Sequence, residues 1–166
     1  IAGRRVGRVR RVFLWWGVLS GCVLCGVSVS HATYEAQEIV RTMCRADALG
    51  ARISTPEWIQ QIAPLVAWPL EPAWDHLVLV QGYAIDAPRV TGEAAVEVDV
   101  RYQVLGTLSE AGFEAATHIA TVPFQVQWDA RDGWRVQGPP HPPHIFVTQF
   151  PVCLLYTSPS PRDTLL

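Results

Sequence analysis

The sequence predicts an α+β fold in which N-terminal helices pack on a curved, mainly antiparallel sheet of about four strands. Three observations carry that prediction. Apolar residues recur at helical spacing over residues 34–49, and residues 94–105 alternate strictly between apolar and polar. Asp129-Ala130-Arg131-Asp132-Gly133 is a tight-turn sequence that joins a long strand-like run to Trp134-Arg135-Val136.

In the first helix Ala36, Ile39, Val40, Met43 and Ala46 form the apolar side, while Glu35, Gln37, Glu38, Arg41 and Arg45 take the other faces. Glu38 and Arg41 stand at i, i+3 and can pair, and Gly50 is the stop. A second helix is expected from Thr55-Pro56-Glu57-Trp58, with Thr55 as cap, Pro56 in the first helical position and Glu57 at the positive end of the dipole. Pro64 and Pro69 limit it, and Trp58, Ile59 and Ile62 give it an apolar side.

The period then changes. A loop over 71–75 leads into the apolar run 76–83, which reads as a well-covered strand. Over 94–105, Val96, Val98, Val100, Tyr102 and Val104 alternate with Glu97, Asp99, Arg101 and Gln103, so one face is buried and the other wet. Residues 106–112 read as the loop to a third strand over 114–128. That strand contains Pro123, which lacks a ladder donor and therefore calls for an edge or a bulge.

The chain has 166 residues, 49% of them hydrophobic and 17% charged, with seven Trp, which suits one folded domain. The net charge of −2 hides an asymmetry, because five Arg fall among the first eleven residues and leave the remainder acidic. No nucleic-acid partner is expected.

The basic stretch 4–11 and the apolar run 12–29 together read as an export segment. Ser30-His31-Ala32 suits signal peptidase, with cleavage after Ala32 and Thr33 as the mature start. The expected division is a signal segment over 1–32, a single domain over 33–150 and a tail over 151–166, with the protein exported to the periplasm or secreted. Leu19-Ser20-Gly21-Cys22 also fits a lipobox that would lipidate Cys22, and the apolar run is close to the length of an uncleaved spanning helix, so anchoring by lipid or helix is the alternative. Arg10-Arg11 partly matches a twin-arginine signal. Ile1 in place of Met is read as an incomplete amino end. Residues 153–163 resemble translated sequencing-adapter read-through, with a Ser/Pro-rich disordered tail as the other reading, and the domain is then truncated at its carboxyl end.

The order of elements is a helix, a Thr-Pro-Glu-Trp helix, a Val-rich strand, long alternating strands and a closing Asp132-Gly133-Trp134-Arg135-Val136. Over about residues 34–147 this order resembles the nuclear transport factor 2-like superfamily of cone-shaped domains. The superfamily holds isomerases, dehydratases and many non-catalytic binding or assembly modules, so the resemblance implies a fold and not a reaction.

Candidate site residues are few. If the third strand keeps one register, His118 shares a face with Ala116, Ala120, Val122, Phe124, Val126 and Trp128, which makes it a pocket histidine. Enzymes of the superfamily use Asp or His inside the cone for proton transfer, and the resemblance implies that role for His118. Asp99 is the nearest carboxylate candidate, yet its alternation puts it on the opposite face. His141 and His144 are spaced to share a metal, although the Pro-rich run around them reads more simply as a rigid cover anchored by Ile145 and Phe146. Cys44 reads as a small buried side chain with no activating histidine. No phosphate loop, nucleophile elbow or zinc-protease helix is present, and no cofactor is expected.

The expected function is an exported, non-catalytic module that binds a small ligand or a protein. A small cone-pocket isomerase or dehydratase using His118 is one alternative, and a membrane-tethered structural envelope module is another. A homodimer and a tether through the N-terminal segment are further partner options.

Overall fold

The structure, a computed structural model, describes residues 21–138 and 140–150. The basic stretch 4–11, the first part of the apolar run expected to serve as an export segment, and the tail over 151–166 therefore lie outside the described residues. The fold is α+β, with a curled mixed sheet wrapped around the apolar side of one long helix.

That helix, α1 (Gly21–Ala48), begins well before the expected residue 34 and runs through Ala32 and Thr33. Its buried stripe is Ala36, Val40, Met43, Cys44 and Ala46, as the periodicity requires, and Arg41 donates to Glu38 at 2.9 Å. Gly50 ends the helical path at φ +91, a left-handed conformation that a residue with a Cβ adopts only at a cost. A 3-10 turn over Ala51–Ile53 leads into α2 (Thr55–Glu57), which widens to a π-helical turn over Trp58–Ile62 and tightens to a 3-10 turn over Ala63–Leu65. Ser54 rather than Thr55 is the cap residue, and its side chain makes no capping bond. Trp58 and Ile62 are buried, whereas Ile59 is exposed because it points off the packed side.

Six strands form the sheet: β1 (His76–Ile85), β2 (Arg89–Gly92), β3 (Ala95–Ser109), β4 (Gly112–Asp129), β5 (Gly133–Val136) and β6 (His144–Phe146). The order is β5-β4-β3-β1-β6, and β2 pairs with β3 on the side that β1 occupies further along. Every ladder is antiparallel except β1 with β6, which is parallel. The expectation of about four strands is corrected by β2 and β6. Both are short segments beside prolines, too brief to show a period, and they form because β3 and β1 offer them unpaired edges. The expected loop over 106–112 shrinks to Glu110 and Ala111, since Gly106–Ser109 continue β3 and Gly112 opens β4.

Alternation along β3 is borne out: Val96, Val98, Val100, Tyr102 and Val104 are buried, and their neighbours face outward. Register shifts between Leu79 and Val80, between Val80 and Gly82, and between Val104 and Gly106 mark bulges, which increase twist and curl the sheet. Pro123 sits in β4 where β5 no longer pairs, so its missing donor faces an open edge and no bulge is needed there.

Candidate functional site

The core stripe of α1 runs Ala36, Val40, Met43 and then Asp47, one further helical step along the same side. A carboxylate is thereby placed at a buried position, 3% exposed. Its Oδ2 accepts the backbone N–H of His144 at 3.1 Å and lies 3.5 Å from Nη1 of Arg52, while Oδ1 has no hydrogen-bond partner. Arg52, carried by the 3-10 turn after Gly50, is itself buried. Its short contacts go elsewhere: Nε and Nη2 both donate to Oε1 of Glu71, at 2.9 and 2.5 Å, and Nη2 donates to the His141 carbonyl at 2.7 Å.

Glu71 lies in the irregular segment before β1 and gathers three indoles. Trp58 donates to Oε2 at 2.8 Å, Trp74 to Oε1 at 2.7 Å, and Trp68 is 3.5 Å from Oε2. The guanidinium also sits 5.5 Å from the centre of the Trp74 ring, within cation–π range. One carboxylate thus fastens α2, the segment before β1 and the turn after α1 to each other. The two histidines of the 141–144 run close the arrangement. The His144 ring is stacked on Tyr102 at 4.0 Å between centroids, and the Tyr102 hydroxyl is 3.3 Å from the Cys44 sulfur. The His141 ring bonds to the Pro123 carbonyl and meets Phe124 edge-on at 5.9 Å.

Burial dominates the electrostatics here. Desolvation pushes the Asp47 carboxyl up to about 6 against the opposing pull of Arg52, and pushes His144 down to about 4, with Arg52 adding to the effect. Burial lifts the Cys44 thiol to about 12, so it stays protonated and unreactive, as its reading as a small buried side chain implies. The Tyr102 hydroxyl is likewise pushed up, and His141 is pushed down, in each case mainly by desolvation.

Against this cluster opens a cleft of about 200 Å³, lined by Met43, Trp68, Phe124, Val136 and His141. Its polar groups are Gln125, Gln137 and the His141 imidazole, and none of its lining residues is Asp, Glu, Lys or Arg. A second, polar groove of about 360 Å³ lies at the β4–β5 hairpin among Gln127, Asp129, Asp132 and Arg135.

The residues singled out in the sequence are not brought together. His118 is exposed, with Nδ1 2.6 Å from the Ala116 carbonyl, rather than enclosed among apolar side chains. It does pair with Val104, but burial fades toward the start of β4: Val122, Phe124 and Val126 are buried, Ala120 is half-buried and His118 lies past that cover, beside the bulge. Trp128, expected on the same covered face, is 48% exposed at the other end of the strand. Asp99 faces outward and holds Arg89 at 3.1 Å; it lies opposite Pro123, five positions from His118 and roughly 17 Å along the strand. His141 and His144 turn to separate partners, and among the described residues no group of three or more His, Cys, Asp or Glu is placed to hold a metal ion. Cys22 falls in the first turn of α1. Among the described residues no helix is long and apolar enough to cross a membrane.

Asp47 was legible in principle as the one acid on the apolar stripe of α1. Trp58 was legible as part of the apolar side of the second helix, whereas Arg52, Glu71, Trp68 and Trp74 carried no such signal, because they stand in short turns or irregular segments without a period. In comparisons with family models, with curated proteins and with solved structures, the chain matches none.

Proposed function

We propose that this chain is an exported, non-catalytic binding module of the cone-shaped nuclear transport factor 2-like type, whose cleft takes a small, neutral, largely apolar ligand. The observation that carries the reading is the character of the cleft: among its described lining residues stand an indole, a phenyl ring and aliphatic side chains, with two amides and an imidazole and no charged side chain. A charged ligand would lose its hydration there without gaining an opposite charge. The curled sheet with a helix against its core side supports the resemblance to that superfamily. The polar residues beside the cleft are already engaged with each other, which favours holding a ligand over transforming it.

The test is titration with N-phenyl-1-naphthylamine, a neutral apolar fluorophore, exciting the tryptophans and reading energy transfer. Saturable transfer is expected from the wild type, weakened at least tenfold in affinity by Gln137→Trp, which narrows the cleft from its half-buried rim. Unsaturable transfer, or affinity unchanged by Gln137→Trp, would overturn the reading. The cleft-bearing domain is proposed to be released after Ala32, which amino-terminal sequencing of the exported protein would test by finding Thr33 first.

A further inference from the structure

Asp47 and His144 are both buried, 3% and 5% exposed, and are joined through the carboxylate and the histidine's own amide. Around them stand Cys44 on α1, Arg52 on the following turn, Glu71 before β1, Tyr102 on β3 and His141 on the segment entering β6. The cluster holds one guanidinium and two carboxylates. Arg52 directs its short bonds to Glu71 and leaves Asp47 a single contact at 3.5 Å. An ionised Asp47 would therefore be a nearly unpaired buried charge with one oxygen, Oδ1, unsolvated. A charged His144 would be no better placed: its ring is buried away from water, Arg52 repels it, and its ring hydrogen bond goes to the Pro142 carbonyl, which a neutral imidazole satisfies equally.

We propose that folding moves a proton within this pair: in the folded protein Asp47 holds it and His144 does not, so the brace between α1 and β6 keeps its strength across mildly acidic pH. In the unfolded chain at that pH, the carboxylate is ionised and the imidazole protonated. The folded pair carries the same number of protons on the opposite partner. Equal proton counts in the two states mean no dependence of stability on pH from this pair.

The signs of the two halves oppose each other. Asp47 rises from an ordinary 3.8 to about 6 in the fold, so its contribution is full below pH 3.8 and is lost as pH rises through 6. His144 falls from 6.5 to about 4, so its contribution is full above pH 6.5 and is lost as pH falls through 4. Removing either partner exposes the other. The inference concerns the brace alone and does not depend on what fills the cleft.

The experiment is denaturant unfolding of wild type, Asp47→Asn and His144→Phe between pH 4.5 and 7. Relative to wild type, the unfolding constant of Asp47→Asn is expected to grow roughly tenfold or more as pH falls across that range, and that of His144→Phe to shrink by a similar factor. Variant curves parallel to the wild-type curve would overturn the proposal. A second measurement on unmodified protein covers the case in which a variant does not fold: the carboxyl carbon resonance of Asp47. A folded-state midpoint above pH 5 supports the proton on Asp47, and a midpoint below pH 4 refutes it.

Discussion

Val100 and Asp99 are adjacent in sequence and opposite in environment, and the contrast is the most direct test of the β3 alternation. Val100 has no exposed surface, so Val100→Asp would bury a carboxylate with no partner and should destabilise by about 3 to 5 kcal/mol. Asp99 faces solvent and shares Arg89 with Glu97, so Asp99→Val should change stability by less than about 1 kcal/mol. Urea unfolding of both variants checks this, and equal losses would contradict a half-buried strand. These two environments could be read from the sequence because alternation over a long strand reports which face each residue takes. The position of His118 could not. It has the parity of the core face, but parity says nothing about how far the cover over that face extends, and that depends on where the helices lie.

At the scale of elements, the segments without periodicity do much of the fastening. Glu71 sits between two regular elements, yet its carboxylate accepts from Arg52, Trp58 and Trp74 at once. Glu71→Gln keeps the shape but sets an amide N–H₂ against N–H donors and leaves the buried Arg52 without its main counter-charge. A loss of about 3 kcal/mol is expected by denaturant unfolding, against about 1 kcal/mol for Trp74→Phe, which removes one of the donors. The β3–β4 ladder has a comparable sensitive point at Gly106, beside the bulge. A Cβ there would lie 2.2 Å from the Glu114 carbonyl oxygen, a backbone atom that cannot turn aside. Gly106→Ala should therefore cost about 2 kcal/mol and lower the thermal midpoint, and an unchanged midpoint would show that the two strands can part locally.

For the molecule as a whole, the core side of α1 is carried by the stretch from Ala36 to Ala48, where Ala36, Val40, Met43, Cys44 and Ala46 are buried against the curled sheet. By itself, the sequence determined the α+β class, the apolar stripe of α1, the long antiparallel strands and the closing hairpin. Each follows from a period repeated over many residues, which local geometry converts directly into a buried face. Only the tertiary structure decided that β2 and β6 exist, that β6 runs parallel to β1, and that Asp47, Arg52, Glu71 and His144 meet. Those features depend on edges and cavities left open by distant elements. Arg52 and the His141 carbonyl it holds are 89 residues apart, and no local pattern in a chain encodes so distant a contact.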